Sequence, residues 1–220
     1  QLNRAFPNVK LFDVFGQTEM SPVTTVLLPS QAEGRPASVG RAVVNVEIRV
    51  VDDEDNDVPV GEVGEIIYRG PTVMKEYYKN PEATAEVMRG GWFHSGDMVR
   101  MDEEGFYYVV DRKKDMIISG GENIYPAEIE DVLYRHPKIL EAAVIGVYDE
   151  VWGEAVMAVV VPKPGEELTR EEVMEWCGHH LAGYKKPKQV EFMEALPRNA
   201  AMKVVKGELR AVYGKSIRYE

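Results

Sequence analysis

Apolar positions along this chain follow the two-residue period in its first half and mix with a helical period in its second. Residues 43–51, VVNVEIRVV, alternate strictly. Val44, Val46, Ile48 and Val50 share one face, and Asn45, Glu47 and Arg49 the other, which predicts a half-buried strand. The acidic turn DDEDND and the glycine-rich PVGEVG lead to a second strand, EIIYRG. Asp102 to Gly105 make a hairpin turn between DMVRM and FYYVV. Upstream, Val9, Leu11 and Val14 predict a short strand followed by a loop. From Asp111 the character changes. MII and NIY form a hairpin across Gly120-Gly121, and a helix follows at about 127–135. Pro126 suits its first position, Glu128, Glu130 and Asp131 favour its N-terminal dipole, and Ile129, Val132 and Leu133 form its apolar face. His136-Pro137 closes it. Strands AAVIGV and AVMAVVV come next, then a helix opened by the capping box Thr169-x-x-Glu172, strand QVEFM, and a final helix near 203–213. The pattern predicts an α+β protein in two parts, a β-rich 1–110 and a mixed 111–220. There is no repeat.

Composition changes this picture little, but charge adds to it. The 220 residues are 45% hydrophobic and 29% charged, ordinary for a globular protein, and no apolar run approaches the roughly 20 residues of a membrane span. One cysteine excludes an internal disulfide framework and fits a reducing compartment, so the chain reads as cytoplasmic. The net charge of -11 argues against nucleic acid as a partner. It is unevenly spread: residues 1–182 hold 17 Lys+Arg against 33 Asp+Glu, and residues 183–220 hold 9 against 4. That basic segment either directs an anionic ligand to one place or is a solvated face. The DDEDND acids lack the glycine and closing glutamate of a calcium loop and read as a solvated turn. Cys177, His179 and His180 lack further ligands at zinc spacing and read as a helix-end cluster.

Four motifs bear on chemistry. In FGQTE a glycine lets backbone approach a ligand, an aromatic ring can stack on a base, threonine can donate to a phosphate, and glutamate can hold Mg²⁺. GGWFHSGD ends in Asp97, placed to accept two ribose hydroxyls. DRKKDMIISGGENIYPAEIE puts three cations and a Ser-Gly-Gly turn ahead of a helix. LPRNAAMKVVKGELR brings Lys203 to the mouth of the last helix after a flexible approach. Each alone is as well read as a turn or a surface lysine.

In this order the four resemble the C-terminal part of adenylate-forming enzymes, the superfamily of acyl-CoA synthetases, luciferases and adenylation domains, with wording closest to medium- and long-chain fatty-acid-CoA ligases. The resemblance covers essentially the whole chain. It implies the β-rich end of a large domain followed by a small mobile α+β domain. It also implies ATP, Mg²⁺ and coenzyme A as co-substrates and cofactor, with a fatty acid or related carboxylate as substrate. Phe15 would lie against adenine, beside Gly16, Thr18 would contact the α-phosphate, and Glu19 would coordinate Mg²⁺. Asp97 would bind the ribose, supported by Arg112. Lys114 matches a hinge position, and Lys203 the lysine that reaches the acyl carboxylate and α-phosphate. Gly120, Gly121 and Glu122 match the loop lining a pantetheine tunnel. Lys185, with Lys186 and Lys188, either meets the 3′-phosphate of CoA or belongs to a solvated loop. Two alternatives share these motifs: transfer of the acyl group to a carrier protein, and a non-catalytic nucleotide-binding module. The oligomeric state stays open, a dimer included.

The chain departs from the pattern in three ways. It opens without methionine and lacks the upstream phosphate loop and acyl pocket, which suggests a fragment that is inactive alone. Ala201-Met202 stands where Thr-Gly or Ser-Gly is usual. Met reaches φ > 0 only at a cost, which puts the approach of Lys203 in question. Gly207 stands where a basic residue is usual.

Overall fold

The apolar run Ile66–Tyr68 is fully buried in a strand that is paired on both sides within an antiparallel sheet. The structure, a computed structural model, describes residues 6 and 8–214 and divides the chain into two units that part between Lys113 and Lys114. The first holds β1 (Asp13–Gly16), β2 (Val23–Leu27), β3 (Ser38–Ala42), β4 (Glu47–Val51), β5 (Val63–Arg69), β6 (Met88–Arg89), β7 (Trp92–Met101) and β8 (Tyr107–Arg112). They order as β1-β2-β3-β8-β7-β5-β4, with β6 on β7. Met20, Val50, Ile66, Tyr68, Phe93 and Val99 fill its core. Phe106 is buried under the Arg35 and Arg41 guanidinium groups, 4.1 and 4.2 Å from its ring centre.

Three expectations need correction here. β4 begins at Glu47, not at Val43. Asn45 takes φ +69, so the chain turns there and leaves Val44 86% exposed; its place in the alternation is coincidental. β1 spans Asp13–Gly16, and Val9 and Leu11 lie outside it, exposed. The helix α1 (Pro81–Val87) gave no periodic signal because it buries no residue. Its caps were nevertheless written in the sequence: the Asn80 side chain accepts the Ala83 amide and Pro81 takes the first position. Both acidic turns behave as expected of Asx turns. Asp102 accepts the Glu104 and Phe106 amides, and Asp52 those of Glu54 and Asn56.

The second unit is built on β9 (Ile117–Ser119), β10 (Glu122–Ile124), β11 (Ile139–Asp149), β12 (Gly153–Pro162) and β13 (Gln189–Phe192), with α2 (Pro126–Tyr134), α3 (Arg170–His180) and α4 (Lys206–Tyr213). β11 and β12 pair antiparallel almost throughout, and β13 joins β12 in parallel. Their continuous apolar runs follow from burial on both faces. Ala142, Val144, Val156, Ala158 and Val160 pack with Ile129, Leu133, Val173 and Cys177 of α2 and α3. Ala143, Ile145, Met157 and Val159 pack on the other face with Leu196 and Leu209 of α4. The capping box of α3 is formed in both directions. The Cys177 thiol faces the core, and burial pushes its pKa up to about 11. His179 and His180, in the last turn, are exposed.

The final helix starts at Lys206, so Lys203 lies in the loop before it. That loop is not a loose approach. Asn199 and Lys203 exchange backbone and side-chain bonds, the Asn199 carboxamide also accepts the Ala201 amide, and Arg198 Nη1 donates to the Met202 carbonyl at 2.6 Å. Met202 takes φ +62. The geometry in question is therefore adopted, at the roughly 1–2 kcal/mol that a non-glycine residue costs in the left-handed region. Gly207 lies in α4, where an added Cβ would meet no atom.

Two outcomes follow from this packing. In the native chain Cys177 should react with a thiol reagent at least about 100-fold more slowly than in urea, given its raised pKa and burial; equal rates would contradict its placement. Met202→Gly should raise the stability of the second unit by about 0.5–1 kcal/mol in urea denaturation, the left-handed strain relieved less the entropy cost of glycine. No gain would show that the loop is not strained at this residue.

Candidate functional site

In the first unit the FGQTE residues run from β1 into a single 3-10 turn, Thr18–Met20. Phe15 is half-buried, Gly16 and Thr18 are exposed, and Met20 anchors the turn in the core. Glu19 is held twice by the segment that follows β5. Its carbonyl accepts the Met74 amide at 2.7 Å, and its Oε1 accepts the Tyr77 hydroxyl at 2.8 Å. Burial and that bond push the Tyr77 pKa up to about 12, so the phenol stays a donor. A carboxylate with one oxygen fixed by a phenol suits a cation that takes one protein carboxylate and the rest of its ligands from phosphates and water, as Mg²⁺ does. Among the described residues no cluster of three or more metal-binding side chains exists that could hold an ion unaided. Thr24 Oγ1 donates to the Phe15 carbonyl at 3.1 Å and lies 3.4 Å from the Tyr68 hydroxyl. The Tyr68 pKa is raised by burial and by the charge of Asp97, which links FGQTE to the second motif.

Asp97 occupies a bulge in β7. Three residues, Ser95 to Asp97, face Ile66 of β5 between the pairs Ile67–His94 and Glu65–Met98. Gly96, at φ +70, supplies the left-handed step. Ser95 Oγ donates to the Ile66 carbonyl at 2.6 Å and accepts the Asp97 amide at 3.0 Å. Across the ladder Arg112 is the register partner of Asp97, and its Nε donates to Asp97 Oδ1 at 2.6 Å. The Asp97 side chain is 6% exposed and that of Arg112 50%. A buried carboxylate oriented by a half-exposed guanidinium is a fixed acceptor for vicinal hydroxyls.

In the second unit Lys114 is exposed and opens the chain after the division. Gly120 and Gly121, at φ +61 and +86, form the two-residue turn of the β9–β10 hairpin. A Cβ on Gly120 would stand 2.6 Å from the Trp152 ring, while the Gly120 amide donates to the Trp152 carbonyl at 2.8 Å. Beside this turn lies a cleft of about 610 Å³ walled by Gly120, Glu122, Trp152, Tyr184, Lys186 and Lys188. Asp149, fully buried, braces two of these walls by accepting the Val151 and Trp152 amides at 2.9 Å and Lys188 Nζ at 3.3 Å. Lys185 does not line the cleft; its ammonium pairs with Glu128 at 2.7 Å. The basic C-terminal segment is largely spent this way. Lys185, Lys188, Arg198, Lys206 and Arg210 hold carboxylates within the unit, whereas Lys186 and Lys203 have no ion-pair partner among the described residues. Sequence reasoning missed Trp152 and Tyr184, although an aromatic in the polar turn DEVWGE was a signal. It also missed Tyr77.

Two family models match the chain: AMP-binding enzyme over residues 1–78, and AMP-binding enzyme C-terminal domain over residues 128–203. A feruloyl-CoA synthase of an Amycolatopsis species is 48% identical over 91% of this chain and 41% of its own length. A long-chain-fatty-acid–CoA ligase of Escherichia coli is 45% identical over 91% of this chain and 35% of its own. The o-succinylbenzoate CoA synthetase of Bacillus subtilis, solved with its acyl-adenylate intermediate, superposes with a TM-score of 0.87 at 35% identity, covering 98% of this chain and 44% of that one. The chain thus spans less than half the length of these relatives. Both models and the sheet-rich α+β fold agree: the chain resembles adenylate-forming, AMP-binding enzymes, with the AMP-binding enzyme C-terminal domain in its second half.

Proposed function

We propose that this chain is the nucleotide- and thiol-handling part of an acid–thiol ligase. A carboxylate and ATP give acyl-AMP and pyrophosphate, and CoA then displaces AMP to give acyl-CoA. The observation that carries the reading is the cleft beside Gly120. It offers two aromatic walls, a close backbone approach and a lysine, Lys186, that has no ion-pair partner among the described residues. That set suits a thin amide-bearing chain ending in an anionic nucleotide. Residues 1–110 would then be the end of the large adenylation domain, residues 111–220 the small mobile domain, and Lys114 the hinge. The substrate class we assign is a fatty acid or related carboxylate, on the wording of the motifs. The named relatives act on feruloyl, fatty-acyl and o-succinylbenzoyl groups, so the acyl identity is not written in what they share with this chain.

The chemistry needs the steps in this order because a thiol does not attack a carboxylate anion. Thr18 contacts the α-phosphate, and Asp97 with Arg112 holds the ribose against Phe15 and Gly16. Glu19, oriented by Tyr77, holds Mg²⁺, which supplies charge neutralisation on the phosphates. Lys203 reaches the incoming carboxylate and stabilises charge developing on the α-phosphoryl oxygens. In thioester formation Gly120, Gly121 and Glu122 lie along the pantetheine, and Lys186, rather than the paired Lys185, meets phosphate.

A titration tests the cleft. CoA should bind the 220-residue chain, with Lys186→Glu weakening it about 5- to 10-fold through one lost phosphate contact and Lys185→Ala changing it less. Equal binding by all three would remove the cleft from the reading. In the complete ligase, Lys203→Ala should slow acyl-adenylate formation by about 10²–10³, the scale for losing one such stabiliser. Conversion of supplied acyl-AMP to acyl-CoA should stay nearly intact. Equal loss of both half-reactions would count against the role given to Lys203.

A further inference from the structure

Glu65 interrupts the apolar run of β5, and its side chain is only 5% exposed. An acid so placed costs several kcal/mol in desolvation unless its oxygens are filled. Both are. Oε1 accepts the Gly96 amide at 2.9 Å, at the crest of the bulge in β7. Oε2 accepts Lys113 Nζ at 2.9 Å and lies 3.5 Å from His94 Nδ1. Lys113 also reaches Asp53 at 2.8 Å. Burial pushes the Glu65 pKa up, but the bonds from Lys113 and Gly96 outweigh it and hold it below the usual carboxylate range.

The two arms end next to the two halves of one pair. Gly96 precedes Asp97, and Lys113 follows Arg112, which donates to Asp97 at 2.6 Å. Backbone bonding alone does not fix either neighbour. Gly96 lies in the bulge and has no register partner on β5, and Lys113 already belongs to the turn that ends β8.

We propose that Glu65 is a positioning residue for the Asp97–Arg112 pair: one buried carboxylate sets the bulge that presents Asp97 and the strand end that presents Arg112, so the ribose grip is formed before a nucleotide arrives. The inference rests on the ribose reading of Asp97.

Amide and side-chain hydrogen exchange by NMR on the 220-residue chain tests it without a nucleotide. In Glu65→Ala the Gly96 amide and the Arg112 Nε–H should each exchange at least about tenfold faster, the scale of one lost charge-assisted hydrogen bond. The Ile66 and Val99 amides should stay within about twofold. Glu65→Gln can still accept from Gly96 but cannot pair with Lys113. It should restore Gly96 protection and leave Arg112 fast, as should Lys113→Met. These two variants carry the comparison if Glu65→Ala does not fold. An unchanged Arg112 signal, or uniform acceleration across the sheet, overturns the proposal and leaves Glu65 a strut of the sheet. Titrating AMP into the wild-type chain and Asp97→Ala reads the ribose assignment separately, so the two failures are distinguishable.

Discussion

The antiparallel ladder of β11 and β12 is the constraint on which the second unit depends. Because both strands are buried on both faces, the helices α2 and α3 must cover one side and Leu196 and α4 the other. The candidate ligand residues of the unit are then set at the margins of that slab. The β9–β10 hairpin docks on β12 through a single register pair, Gly153 with Ser119, and this brings Gly120 against Trp152. The Lys203 loop hangs between β13 and α4 and is closed on itself by Asn199.

Charge within that unit is economical. A segment carrying nine cations looks from sequence like an anion funnel, yet most of its described cations bind carboxylates of their own unit. Exposed pairs of this kind stabilise little individually. Their consequence is selection. Among the described cations of the segment, the two without an ion-paired carboxylate are Lys186, at the cleft, and Lys203, in the loop before the last helix. The same logic, reversed in sign, holds in the first unit. Asp97 and Glu65 are buried acids, and each is paired with a partly exposed cation that lies next to the other's, Arg112 and Lys113.

The sequence by itself determined most of the elements and the family resemblance. Period-two runs, a capping box, Asx turns and Gly-Gly in a hairpin are local signals, since each depends on residues within a few positions. FGQTE, Ser-Gly-Asp and the stretch from Asp111 were legible as candidate site residues for the same reason: short spacing is enough to write them. Local reading erred where a backbone turn cut across an alternation, at Val44 and Asn45, and where a helix buried nothing, at Pro81–Val87.

Only the tertiary structure decided which side chains are occupied. Pairing of Lys185 with Glu128, Tyr77 with Glu19 and Glu65 with Lys113 joins residues 57, 58 and 48 positions apart. No local period records such distances. Nor could the sequence tell that Met202 would take φ +62, because the bonds that hold its loop come from Asn199 and Arg198 once the loop has closed. Propensity describes what a residue prefers alone; packing and pairing decide what it is made to do.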